Sequence, residues 1–221
     1  MTADIALADR YLRAVRIWRI PLSINVERVA LALGHKDRTV EWVDTNPDDR
    51  ASVIEVSGQR RVPVLKDDDG NVVTGSTAIL EYLDRRFPEP RLFPDEPLGA
   101  EVRLFVDWFE RAWKPAAAAI EEELVDHAPD PDQQRLVLLG TRLVDALDLF
   151  EGLLANREFL LSERLTAADC IAFPFIKYAA LGMPTNDEKL FHRILVDYQP
   201  LGPHHQRVRD WIARIDAFPR G

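Results

Sequence analysis

The sequence predicts two domains of different class. The first is an α/β domain over residues 1–87, with elements in the order β-α-β-α-β-β-α, and the second is an all-α helical bundle over residues 98–221. Three observations predict this division. Between residues 15 and 83, short runs with period-two apolar patterning alternate with helical ones, and two β-α-β steps favour a small sheet with parallel pairs, right-handed crossovers and an added hairpin strand. Pro88, Pro90 and Pro94 then punctuate a linker over residues 88–97. From Leu98 onward the apolar residues recur at helical spacing and no convincing strand appears.

Residues 1–14 read as an extension, in part helical, with no diagnostic motif. Val15 to Ile20 alternates apolar and charged side chains, which is strand periodicity, and Pro21 ends it. Ser23 opens a helix in which Val26, Val29, Ala30 and Leu33 share a face and Gly34 supplies a C-terminal stop. Thr39 to Val43 is a second strand, and Asp48 to Val56 a short helix. Val62-Pro63 marks the start of the third strand, where a missing N–H is tolerated. Asp68-Asp69-Gly70-Asn71 is a hairpin turn, because Asp-Gly supplies positive φ. Gly75-Ser76-Thr77 opens the next helix, where a hydroxyl can accept from first-turn N–H groups and the remaining donors can hold a carboxylate.

Beyond the linker, Val102, Phe105, Phe109 and Trp113 line one helix, interrupted near Pro115 and continuing through Leu124. Leu136, Leu139, Leu143, Leu147, Phe150 and Leu154 form a long apolar stripe. Thr166-Ala167-Ala168-Asp169 is a capping box, hydroxyl first and acid three later. The helix it opens, Cys170 to Leu181, is apolar nearly all round and so is expected at the centre of its domain, kinked by Pro174. Leu190 to Pro203 is expected to be a short helix and a loop, and Val208, Trp211, Ile212 and Ile215 line a final amphipathic helix.

Composition narrows the function. The 221 residues carry a net charge of −9, which argues against a phosphate-binding nucleic-acid face. No apolar run approaches the roughly 20 residues of a membrane span, and the N-terminal ten residues lack the apolar core of a signal peptide. Cys170 is the one cysteine, so no internal disulfide can form, and a cytoplasmic protein is expected. The histidines show no metal-ligand spacing. Asp67 to Asp69 and Glu121 to Glu123 read as solvated faces.

The pieces Val62-Pro63-Val64-Leu65, Gly75 through Leu83 and Phe87-Pro88, together with the Thr166–Asp169 box, resemble the cytosolic glutathione transferase family. The resemblance covers roughly residues 15 to 217 and is closest to serine-type, bacterial-like members. It implies a thioredoxin-like N-terminal domain, glutathione as co-substrate with no further cofactor, a small hydrophobic electrophile as second substrate, and a homodimer. It implies that the Val62–Pro63 bond is cis, that the Val62 backbone pairs with the cysteinyl unit of glutathione, and that Ser76 and Thr77 hold the γ-glutamyl carboxylate. Arg61 would face the glycyl carboxylate. Ser23 stands where serine- and cysteine-type members carry the thiol-facing residue, with Asn25 as a back-up amide donor, while tyrosine-type members carry their tyrosine near Leu22. Tyr11 lies upstream of the first strand, too early for that role. The resemblance also implies a second-substrate cleft with Leu22, Phe105, Phe109 and Trp113 as candidate lining.

By residue type alone, Ser23 and Ser76 are equally helix caps, Arg61 a solvated arginine, and the aromatics core. One position departs from the family pattern: many members carry an acid or amide before the serine, and here it is Gly75. A glutathione-dependent isomerase of the maleylacetoacetate isomerase kind, a non-catalytic binding module, and use of another low-molecular-weight thiol remain open alternatives.

Overall fold

The structure, a computed structural model, describes residues 11–221, with side chains from Val15 onward. It divides into two compact units, one reaching Phe93 and including Phe218–Gly221, the other Pro94–Ala217. Predicted features of residues 1–10 lie outside the described residues.

The first unit runs β1 (Tyr11–Arg19), α1 (Ile24–His35), β2 (Thr39–Asp44), α2 (Ala51–Ser57), β3 (Val64–Lys66), β4 (Val72–Thr74) and α3 (Ser76–Arg86). The sheet order is β2-β1-β3-β4. β1 pairs in parallel with β2 and antiparallel with β3, and β4 closes the antiparallel hairpin. This is the thioredoxin-like order of elements that the sequence pattern predicts. One correction concerns the start. Residues 11–14 are strand, and Tyr11 is the first residue of β1, paired with Thr39 ahead of a register shift between Leu12 and Arg16. Pairing with β2 gives this backbone ladder partners, which outweighs the helix propensity of its Leu and Ala.

The hairpin turns at Gly70, whose φ of 86° suits glycine. Asp67 corrects the expectation of a solvated acidic run. It is buried, and its carboxylate accepts from Asn71 N at 2.8 Å and from Tyr82 OH at 2.9 Å, which ties the turn to α3. Trp18, Val53 and Val64 form a buried cluster on which Val43, Val56 and Val62 pack.

Among the described side chains of this unit, two cations are buried. Arg28 lies on α1 and Lys36 just beyond it. The Lys36 ammonium donates to Asp84 Oδ1 at 2.8 Å, Phe87 O at 2.7 Å and Pro90 O at 2.8 Å. Asp84 in turn accepts from Leu92 N at 2.7 Å and Phe93 N at 3.1 Å, so one ion pair anchors the chain that leaves α3. Residues 218–221 also belong here rather than with the helices. Gly221 N donates to Ala30 O at 3.0 Å, and Trp42 Nε1 donates to Gly221 O at 2.9 Å. Their close approach requires a glycine at 34, where a Cβ would stand 1.9 Å from Pro219 O.

The second unit comprises α4 (Leu98–Trp108), a π-helical turn (Phe109–Trp113), α5 (Lys114–Asp126), α6 (Gln133–Leu153), α7 (Ala167–Ile176), the short α8 (Tyr178–Leu181), α9 (Leu190–Asp197) and α10 (Gln206–Asp216). The interruption expected near Pro115 is the π turn, since Pro115 offers no N–H to the preceding turn and the ladder widens before it. The Thr166 capping box has both of its bonds, and Asp169 also accepts from Leu160 N and Trp211 Nε1, each at 3.0 Å. α7 is buried along its whole length, as its composition predicts, but it ends at Ile176 and α8 follows. Glu123 is a second buried acid that the sequence reads as solvated. It accepts from Asp132 N at 2.8 Å and Arg135 Nη1 at 2.7 Å, closing the α5–α6 connection.

Candidate active site

The site is built in the first unit from three backbone features. The first is the turn from β1 into α1. Leu22 stands there at φ 58°, a left-handed conformation that costs a side chain such as leucine roughly 1–2 kcal/mol, and its side chain is 47% exposed. Such outliers cluster at functional positions. Ser23 follows at the N-cap of α1. Its carbonyl accepts from Glu27 N at 3.0 Å, which starts the helix, but its side chain makes no capping bond. The hydroxyl therefore sits half-buried at the positive end of α1 without being used by that helix. Asn25, the second residue of α1, keeps its side-chain oxygen buried with no hydrogen-bond partner among the described residues.

The second feature is the approach to β3. The Val62–Pro63 bond is cis. β3 starts pairing only at Val64, so Val62 takes no part in the ladder and stands at its end, half-buried. Arg61 is exposed, and its backbone is bracketed by the Gln59 amide, which donates to Arg61 O at 2.8 Å and accepts from Arg61 N.

The third feature is the start of α3. Gly75 is the N-cap with φ 89° and ψ 138°, and its N–H donates to Pro63 O at 3.3 Å. That backbone conformation suits glycine, which accounts for the departure from an acid or amide here. Space is not the reason, since a Cβ would meet nothing within 4 Å. Ser76 and Thr77 are the first helical residues, so their N–H groups have no acceptor within the helix. Ser76 corrects the expectation of a side-chain cap. Its Oγ accepts instead from Arg28 Nη1 at 3.2 Å. Arg28, absent from the residues the sequence singles out, is fully buried on α1 and fastens α1 to α3. A signal for it existed in the sequence: Ile24, Arg28 and Leu31 fall on one helix face, and the two apolar members are buried.

The aromatic candidates belong to the second unit. Phe105 and Phe109 are interior: Phe109 stacks on Trp113 at 4.6 Å and meets Phe175 edge-on at 5.5 Å. Side chains at this helical spacing bury against α6 and α7, so these two are core rather than lining. Trp113 borders an open groove of about 660 Å³ between α5 and α6, with Ala112, Ala116 and Leu139 among its walls.

Asp148, His204 and His205 come close enough to suggest a metal centre. The hydrogen bonds argue for another role. His205 Nδ1 accepts from Gly202 N at 2.9 Å, so its Nε2 bears the proton and donates to Asp148 Oδ1 at 2.8 Å. His204 Nε2 lies 2.9 Å from the same oxygen, and the two histidines hold the Asp148 carboxyl below its ordinary range. The cluster fastens α6 to the start of α10.

The family model for the glutathione S-transferase N-terminal domain matches residues 18–91, which contain all three features, and that for the C-terminal domain matches residues 119–184. The chain belongs to the glutathione S-transferase family. Within that family it is 29% identical over 159 residues to a stringent starvation protein A homolog of Coxiella burnetii, covering 71% of each chain. It is 25% identical over 169 residues to glutathione S-transferase GstB of Escherichia coli, covering 73% of this chain and 81% of that protein. The crystal structure of a glutathione S-transferase from Rhodospirillum rubrum superposes with a TM-score of 0.69 at 27% identity, over 93% of this chain and 89% of that one. Among the described residues of this glutathione S-transferase family protein, no helix is long and apolar enough to cross a membrane.

Proposed function

We propose that the protein is a serine-type glutathione transferase that joins the glutathione sulfur to a hydrophobic electrophile. The observation that carries this reading is the Ser23 hydroxyl, placed at the N-terminus of α1 and making no capping bond there. The thiolate is the reactive form of a thiol. A hydroxyl donor and the positive helix end both favour it over the neutral thiol. Val62, unpaired at the end of β3, offers backbone groups to the cysteinyl unit in the manner of an added strand. Ser76 and Thr77 offer first-turn N–H groups to the γ-glutamyl carboxylate, and Arg61 is exposed for the glycyl carboxylate. The thiolate then attacks an electrophilic carbon, a C–S bond forms, and the leaving group departs with its bonding electrons. A homodimer is part of the proposal. Leu104 of α4 and Val137 and Leu138 of α6 are 71%, 70% and 57% exposed, large apolar side chains of the kind that association would bury.

The test is retention on immobilised glutathione, conjugation of a generic aryl halide, and a count of glutathione consumed per product. Absence of both binding and conjugation would overturn the reading, and product formed with glutathione returned intact would make the protein an isomerase. Light scattering reports the dimer. A second reading, a binding module on the same fold, is favoured by Gly75, which contributes no side chain to the ligand. The absence of stabilisation by millimolar glutathione in a thermal-shift measurement would favour it, since a ligand at 100 times its Kd adds about 2.7 kcal/mol.

A further inference from the structure

We infer that Arg220 is a positioning residue for the reacting thiolate: by pairing with Glu27 it keeps the acid in the first turn of α1 from opposing the negative sulfur held at Ser23. This rests on the reading of the site as one for a thiol. Ser23, Glu27, Ala30 and Gly34 recur at four-, three- and four-residue steps, so they lie along one face of α1 with Ser23 at its start. Residues 218–221 run along that same face. Pro219 O packs against Gly34, where a Cβ would collide with it, and Gly221 N donates to Ala30 O at 3.0 Å. Arg220 sits between these two anchors. Its Nη2 lies 3.5 Å from Glu27 Oε1, and its Nη1 donates to Phe218 O. The Arg220 and Glu27 side chains are 27% and 20% exposed, so the pair is screened less than one on the open surface.

The positive end of α1 attracts any anion that stands near it. Glu27 is the acid of the first turn, and its N–H donates to Ser23 O at 3.0 Å. Its side chain therefore starts one helical turn from Ser23 and leans toward the helix N-terminus. A thiolate at Ser23 would meet this like charge, and a like charge nearby raises the pKa of a thiol. Arg220 supplies the opposite charge, so the sulfur faces a nearly neutral pair and the helix end keeps its effect. Other charges also surround the site. Arg28 on α1 donates to Ser76 Oγ, Arg19 at the end of β1 pairs with Asp44, and Arg61 stands exposed before Val62. All three are common to the native protein and the variants below, so their effect on the sulfur cancels in the comparison.

The experiment is to titrate the thiol of bound glutathione by its thiolate absorbance. The proteins compared are native, Arg220→Gln, Glu27→Gln and the double variant Glu27→Gln/Arg220→Gln. Arg220→Gln should raise the thiol pKa by about half a unit to one unit, which makes the thiolate fraction about three- to tenfold smaller below that pKa. Glu27→Gln leaves the arginine charge and should lower it, and the double variant should return close to native. The opposite signs separate a charge effect from lost structure, which would move both single variants the same way. The indole N–H resonance of Trp42, bonded to Gly221 O, reports whether residues 218–221 stay in place. If Arg220→Gln displaces them or does not fold, Glu27→Gln decides alone, and a lowered thiol pKa there supports the inference. An unchanged or raised pKa in Glu27→Gln overturns it, as does an unchanged or lowered one in a folded Arg220→Gln. A native protein that binds no glutathione, or binds it with an unperturbed thiol, overturns the thiol reading itself and the inference with it.

Discussion

Replacing Ser23 with alanine tests the chemistry most directly. A hydrogen bond to a charged group contributes about 1.5–3 kcal/mol. One pKa unit corresponds to about 1.4 kcal/mol, so the bound thiol should titrate about 1–2 units higher in Ser23→Ala. The favourable helix end remains and keeps its share, about 0.3–1 kcal/mol. A bonded N-cap serine would also cost about 1 kcal/mol of stability on removal, but the Ser23 side chain makes no capping bond, so the fold should be nearly indifferent. The assay is kcat/KM for an aryl halide across pH, with thiolate absorbance of the bound peptide as an independent readout. Below both pKa values the variant should be slower by about 10–100-fold, following the thiolate fraction. At high pH the two proteins should converge, because a more basic thiolate is also the stronger nucleophile. An unshifted pH profile, or a uniform loss at every pH, would refute the assignment of Ser23 as thiolate donor.

Three further outcomes follow from the packing of the first unit. Lys36→Met should destabilise by about 3–5 kcal/mol in urea unfolding, because it leaves the Asp84 carboxylate and two carbonyls without their buried ammonium, and Asp84→Asn in the same background should add little. Burial lowers His35 from 6.5 to about 4, with Lys36 adding to the effect. As pH falls through that window the unfolded chain takes up the proton first, so stability drops on acidification, and His35→Gln should flatten this part of the stability profile. Gly34→Ala should dislodge residues 218–221, because its Cβ would collide with Pro219 O, and the environment of the Trp42 indole bonded to Gly221 should change in fluorescence.

Much of the fold is legible along the chain because its signals are local. The Asp-Gly turn, the Thr166–Asp169 box and the helical stripes of α6 and α10 each sit within a few turns of one another, and each forms where its pattern lies. The π turn before Pro115 is likewise a local consequence of a missing N–H. Charged residues are where reading by residue type fails. Asp67, Glu123 and Lys36 look like surface residues, yet each is buried with partners that make burial tolerable. The aromatic candidates for a cleft fail for the opposite reason, since Phe105 and Phe109 find neighbouring rings in the core.

The candidate site divides in the same way. Ser23, Val62, Pro63, Ser76 and Thr77 stand at helix starts and a strand edge that local punctuation already marks. Whether each hydroxyl caps its own helix or stands free of it is decided by tertiary contacts. Ser23 makes no cap, and Ser76 turns its oxygen to Arg28, a residue 48 positions away. Sequence pattern specifies which segments become helices and strands, because hydrogen-bond periodicity and turn chemistry act over a few residues. It leaves unspecified which side chains meet between segments, and that choice sets which protons and charges face the ligand.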